Sequence, residues 1–104
     1  MSTIKARNVN HPDHQENLKA EKYNIIREAM LAVLPTEDGM LFTDLEQGVA
    51  AYLQEKQVPQ ALFPKAGSVR WYTKTVQLDL EARGEIERLP NQSPIQLRKI
   101  VDTE

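Results

Sequence analysis

Three polar side chains recur at helical spacing in the second half of the chain: Arg70, Lys74 and Gln77. At about 100° per residue they share one strip of a helix with Glu81. Arginine and lysine pair with guanine edges or phosphate, and glutamine with adenine, so the strip has the chemistry of a major-groove reader. Ser68, just ahead of it, is placed to cap that helix and to touch a phosphate. Further on, Arg88, Arg98 and Lys99 flank Asn91-Gln92-Ser93, a polar tip suited to a nucleic-acid backbone or minor groove. A plainer reading stands beside this one. Such residues populate any solvated helix face, Glu81 repels phosphate, and edge strands carry cations to block sheet-to-sheet pairing.

Other chemistry is poorly supplied. The chain has no cysteine, which excludes disulfides, thiolate metal sites and cysteine nucleophiles. His11-Pro12-Asp13-His14 invites a metal reading, but no third convergent ligand accompanies it and structural zinc prefers four. Asp13 is explained more simply as a helix cap. There is no glycine-rich phosphate loop, no nucleophile elbow and no helix-borne His-Glu pair. The expectation is a non-enzymatic chain with no catalytic residues, no metal and no cofactor. Trp71 and Tyr72 point about 100° apart on a helix, so they make no flat stacking platform, and core packing is the expected role of both.

The elements that must position the strip follow from periodicity and punctuation. Residues 1–12 show no apolar periodicity and read as a flexible N-terminal arm. Asp13 and Glu16 have capping-box spacing, and Leu18, Ile25, Ile26, Ala29, Met30 and Val33 give an apolar face to a helix from about His14 to Leu34. Pro35 stops it. Met40-Leu41-Phe42 reads as a brief strand or a staple. Thr43 and Glu46 repeat the capping-box spacing and open a second helix to about Gln57, with Leu45, Val49, Tyr52 and Leu53 inward and Gly48 beside them for close approach. A connector of about ten residues, 58–67, holds two prolines. The third helix runs from Ser68 to Arg83, with Gly84 as its C′ residue. Val69, Tyr72, Val76 and Leu80 line one flank, and Trp71, Leu78 and Ala82 the opposite one. The period then switches: Glu85–Leu89 alternates, Pro90–Pro94 is turn-rich and Ile95–Ile100 is partly extended, which together suggest a β-hairpin.

The order helix, short extended piece, helix, helix, hairpin resembles the winged helix-turn-helix family. The likeness is sharpest over Val76-Gln77-Leu78-Asp79-Leu80-Glu81-Ala82-Arg83-Gly84-Glu85-Ile86-Glu87-Arg88, where a leucine-rich helix end meets a glycine and then an apolar strand residue. The chain is also similar to small uncharacterised bacterial winged-helix proteins. The resemblance covers residues 14–100 and implies a mainly α fold with a small β-hairpin: a three-helix core plus a C-terminal wing, here residues 13–101, followed by a short acidic tail, 102–104. It also implies that the third helix enters the major groove of double-stranded DNA while the wing holds the backbone, as in a transcription regulator. One departure weighs against this docking. The long connector replaces the tight turn of 3–4 residues usual in DNA-reading units.

Composition sets the outer bounds. With 104 residues the chain suits one domain with one modest core. Net charge is −2 overall, which argues against a generic polyphosphate binder. Charge is uneven, however. Residues 1–64 hold six Lys/Arg and nine Asp/Glu, whereas residues 65–100 hold seven Lys/Arg and four Asp/Glu. No apolar run is long enough to cross a bilayer and the start lacks a secretory signal, so a cytoplasmic location is expected. Two functions stand at this stage. One is a DNA-binding winged helix, expected as a dimer because one small domain has a small footprint. The other is a protein–protein interaction or dimerisation module on the same fold, with Met40, Leu41, Phe42, Leu62 and Phe63 as its contact patch.

Overall fold

The computed structural model describes residues 3–7, 15–63, 67–89 and 94–100. The first elements are two strands, β1 (Thr3–Arg7) and β2 (Gln15–Lys19), paired antiparallel with Ile4 opposite Leu18. This corrects two expectations. The presumed arm contributes a strand that lies against the third helix, and the first helix, α1, spans Ala20–Val33 rather than starting near His14. The reason is long-range. Residues 15–19 satisfy their backbone groups across the hairpin, a competition that periodicity within one segment does not register. His11, Pro12, Asp13 and His14 lie outside the described residues, and Glu16, the partner in the proposed capping box, belongs to β2. The N-cap of α1 is Lys19, which makes no side-chain cap bond.

Pro35 ends α1 as expected. Leu34 is extended at φ −68°, ψ 138°, the conformation a following proline imposes. A short strand β3 (Met40–Leu41) then leads directly into α2 (Phe42–Glu55), with Leu41 as N-cap and no side-chain cap bond. Thr43 is therefore inside the helix, not its cap. The helix ends in a Schellman arrangement: Gln57 N–H donates to Gln54 C=O at 3.0 Å and Val58 N–H to Leu53 C=O at 2.9 Å. Gln57 takes the left-handed position, φ 57°. A 3-10 turn, Gln60–Leu62, interrupts the connector.

The third helix, α3, covers Ser68–Ala82. Gly67, at φ 83°, is its N-cap, so Ser68 is the first helical residue rather than the cap. Its C-terminus is a second Schellman arrangement, with Gly84 N–H to Glu81 C=O at 3.2 Å and Glu85 N–H to Leu80 C=O at 2.9 Å. Gly84 sits at φ 76°, the conformation for which glycine is suited. Strands β4 (Ile86–Arg88) and β5 (Gln96–Lys99) follow. They join β3 in an antiparallel sheet of order β3-β5-β4, with β5 in the middle: Met40 faces Leu97 on one side, and Arg88 faces Leu97 on the other.

The three helices and this sheet enclose one core. Ile26, Ala29 and Met30 of α1, Leu45 and Val49 of α2, Val76 and Leu80 of α3, and Leu97 of β5 are fully buried. Helices α1 and α2 approach so closely at Gly48 that an added Cβ would lie 2.6 Å from Val33 Cγ1. The architecture is thus mainly helical with a small three-stranded antiparallel sheet, and the N-terminal hairpin is added to it. Among the described residues no helix is long and apolar enough to cross a membrane.

Candidate functional site

The strip of α3 is where the sequence concentrates its chemistry, and α3 proves to be the innermost helix. Thr73, Val76, Gln77, Asp79 and Leu80 are buried, and within the helix only Arg70 and Trp71 are exposed, with the C-cap Arg83 exposed just beyond it. The strip is therefore closed along most of its length. Arg70 keeps 66% of its side chain exposed and stands 3.9 Å from Glu46 of α2. Lys74 is half-buried, with Nζ 5.1 Å from the centre of the Phe42 ring. Gln77, expected to face a base, has 0% exposure. It lies inside because the helices, β1 and β4 pack around α3 on several flanks, leaving no free polar face at mid-helix.

Glu81 organises the rest. Its carboxylate accepts two hydrogen bonds from Arg88, Nε to Oε1 at 3.0 Å and Nη2 to Oε2 at 3.1 Å, and a third from Gln77 Nε2 at 2.7 Å. Only 7% of the Glu81 side chain is exposed. A forked guanidinium–carboxylate pair of this kind fixes both direction and charge. Glu81 thus neutralises Arg88 instead of merely disfavouring phosphate nearby.

Arg98 of the hairpin behaves similarly. Arg98 donates from Nε to Glu87 Oε1 at 2.6 Å and from Nη1 to the Glu37 carbonyl at 3.0 Å. Lys99 is half-buried, and its backbone N–H donates to Pro35 C=O at 2.8 Å. Asn91 and Gln92 lie outside the described residues. Ser68 Oγ is buried without a hydrogen-bond partner among the described residues. Of the sequence-predicted contacts, Lys74, Gln77 and Arg88 are brought together through Glu81. Arg70 and Arg98 are held apart from that group, each beside its own acid.

A second polar cluster escaped sequence reasoning. Tyr23 of α1 donates its hydroxyl to Asp79 Oδ2, and Arg83 Nε donates to the same oxygen at 2.8 Å. Asp79 has 0% exposure. Burial first, and then the bond to Asp79, push the Tyr23 hydroxyl far above its ordinary range. Nearby, Arg27 of α1 pairs with Glu85. The spacing of Asp79 and Arg83, four apart on one helix, was a readable signal. Tyr23 carried none, being remote in sequence.

A family model described as "Family of unknown function (DUF6958)" matches residues 3–97. The chain belongs to that family. The span of this member matched by the DUF6958 model begins at the first residue of β1 and ends within β5. Neither the curated proteins nor the solved structures compared with it give a match.

Apolar surface is sparse and local. Trp71 is 48% exposed, against the expectation that it packs in the core. Its ring meets that of Tyr72 at 85° and 5.0 Å, and Tyr72 in turn meets Phe63 at 81° and 5.3 Å. Perpendicular rings offer no continuous stacking surface, as helix geometry had indicated. Phe63 forms part of a groove of about 410 Å³ with Ala50, Leu53, Val58, Pro59 and Val69. Of the other residues expected in a contact patch, Met40, Leu41, Phe42 and Leu62 are half-buried, while Phe63 is buried. Among the described residues, no three acids or histidines converge as a metal site.

Proposed function

We propose that this chain is a non-enzymatic protein–protein interaction or dimerisation module on the winged-helix fold. The winged-helix reading is supported by the order α1, β3, α2, α3, β4, β5 and by the central place of β5 between β3 and β4. The observation that carries the function is the Glu81 clamp. Three of the cations that would read or grip DNA are engaged within the chain: Arg88 on Glu81, Arg98 on Glu87, and Lys74 against Phe42, with Gln77 buried. Protein–DNA affinity depends on cations free to replace counterions at phosphates. A surface with three of its cations so engaged supplies less of that. Aromatic and arginine side chains are, conversely, the common anchors of protein interfaces, and Trp71 beside Arg70 on the first turn of α3 fits that role.

A photo-crosslinking residue at position 71 tests the reading in the producing cell. The expected outcome is a discrete protein adduct, with sedimentation of the purified chain separating a second copy from a different protein. Duplex DNA titrated at low salt should give no saturable binding. Saturable binding that weakens with salt and is lost on Arg70→Ala with Lys74→Ala would overturn the proposal. It would favour the second reading, a DNA-binding regulator, for which the exposure of Arg70 speaks.

A further inference from the structure

The first turn of α3 presents two exposed side chains side by side, Arg70 and Trp71. The indole ends a row of rings. It meets Tyr72 edge-on at 5.0 Å, and Tyr72 meets Phe63 edge-on at 5.3 Å. Lys22 of α1 stands over the inner part of the row, with Nζ 5.5 Å from the Tyr72 ring centre and 5.8 Å from that of Phe63, so the indole is its open end. Phe63 is also a wall of the apolar groove, and Val69, the residue before Arg70, is another. Knob and hollow therefore adjoin on one stretch of surface. The hollow opens to water through the exposed Ala50, Gln54 and Pro59. One turn before Ala50 on α2 comes Glu46, whose carboxylate lies 3.9 Å from Arg70 Nε. That separation is too long for a hydrogen bond, and both side chains keep surface in water, so neither charge is used up by the other.

We propose that a second copy of this chain docks here as a twofold pair, with the Trp71 indole of each protomer seated in the other's groove and Arg70 of each beside Glu46 of the other. This rests on the interaction-module reading and names the partner. Complementarity selects a copy of the chain itself. An apolar hollow with an acid on its rim calls for an apolar knob with a cation next to it, and Arg70-Trp71 is such a knob. Because knob and hollow share one face, a twofold axis between them satisfies both at once and closes the assembly at two. The groove, about 410 Å³, is of the size that encloses a small ligand and takes one indole. Seating the indole removes its apolar surface from water, and tryptophan with arginine is the usual anchor chemistry of such contacts. The Arg70–Glu46 pairs that form across the axis are shielded from water, where charges attract more strongly than at an open surface.

Sedimentation equilibrium of the full chain, 11.9 kDa, should give an average mass that rises with concentration toward twice that value. Trp71→Ala, at an exposed position, should weaken association about tenfold or more. Arg70→Glu and Glu46→Arg should each be monomeric alone, since either one sets like charges opposite each other twice across the axis. Mixed in equal amounts they should dimerise, because the two reversed charges then face each other and the two unaltered ones do likewise. A different protein as partner predicts no such recovery. A chain that stays monomeric to millimolar concentration, or a dimer indifferent to Trp71→Ala, overturns the proposal, as does failure of the two charge variants, each folded by circular dichroism, to associate on mixing. A monomeric chain that still crosslinks through position 71 to a different protein overturns this choice of partner and leaves the module reading standing.

Discussion

Replacing Tyr23 with Phe removes a single oxygen from the interior. That oxygen donates to Asp79 Oδ2, an atom of a carboxylate with 0% exposure. A hydrogen bond to a charged group contributes about 1.5–3 kcal/mol. The ring stays, so little cavity cost is added, and Arg83 still donates to the same oxygen. The expected loss is therefore about 2 kcal/mol. For a domain of this size it corresponds to a drop in Tm of about 8–16 °C. Urea unfolding should show a lower midpoint at unchanged slope, because the surface exposed on unfolding is the same.

The pH dependence gives a sharper check. Burial, and then the bond to Asp79, raise the folded-state pKa of Tyr23 well above the ordinary 10.0. Above that ordinary value the unfolded chain gives up the phenolic proton while the folded chain keeps it. The unfolded state then binds fewer protons, so stability falls as pH rises. The Phe variant lacks this contribution. The gap between the two proteins should be constant up to about pH 9 and narrow above about pH 10. A cost below about 0.5 kcal/mol, or a gap that stays flat into alkaline solution, would refute the reasoning.

Other substitutions probe other contacts. Gly48→Ala places a methyl 2.6 Å from Val33 Cγ1 and should cost about 1–3 kcal/mol by overpacking, read from thermal unfolding. Gln57→Gly relieves a side chain at φ 57°. It should raise stability by about 0.5–1 kcal/mol in urea titration. Gly84→Ala puts a Cβ at φ 76° with open space around it, so its cost of about 1 kcal/mol should be purely conformational and appear without a change in slope. Glu81→Ala strips three hydrogen bonds from one carboxylate. It should lower stability by about 1–3 kcal/mol, measured by urea titration at neutral pH.

Much of the architecture was legible because its signals are local. Pro35 acts on the backbone of the residue before it and Gly84 through its own φ, so the ends of α1 and α3 were readable from single residues. The alternation around Ile86 disclosed β4 for the same reason. The beginnings of helices were read less well. The Asp13–Glu16 and Thr43–Glu46 spacings suggested caps, yet α1 follows a strand and α2 starts at Phe42 immediately after β3. Strand pairing at residues remote in sequence decided both. The strip of α3 was placed on one helix, but its exposure was not foreseeable from spacing. Whether Gln77 meets water depends on what packs over it, and whether Arg88 is free depends on a carboxylate seven positions back across a helix end.

The middle place of β5 also governs the order in which this domain can complete itself. Its two neighbours, β3 and β4, are separated by α2 and α3 and pair with β5 rather than with each other. Helices can form from local contacts, but the sheet closes only by joining segments far apart in sequence, the slow class of folding event. During synthesis the ribosome delivers the keystone after both flanks, so the half-made domain carries two strands awaiting a third. Leu97, fully buried against the rest of the core, is in that sense the last brick of the arch.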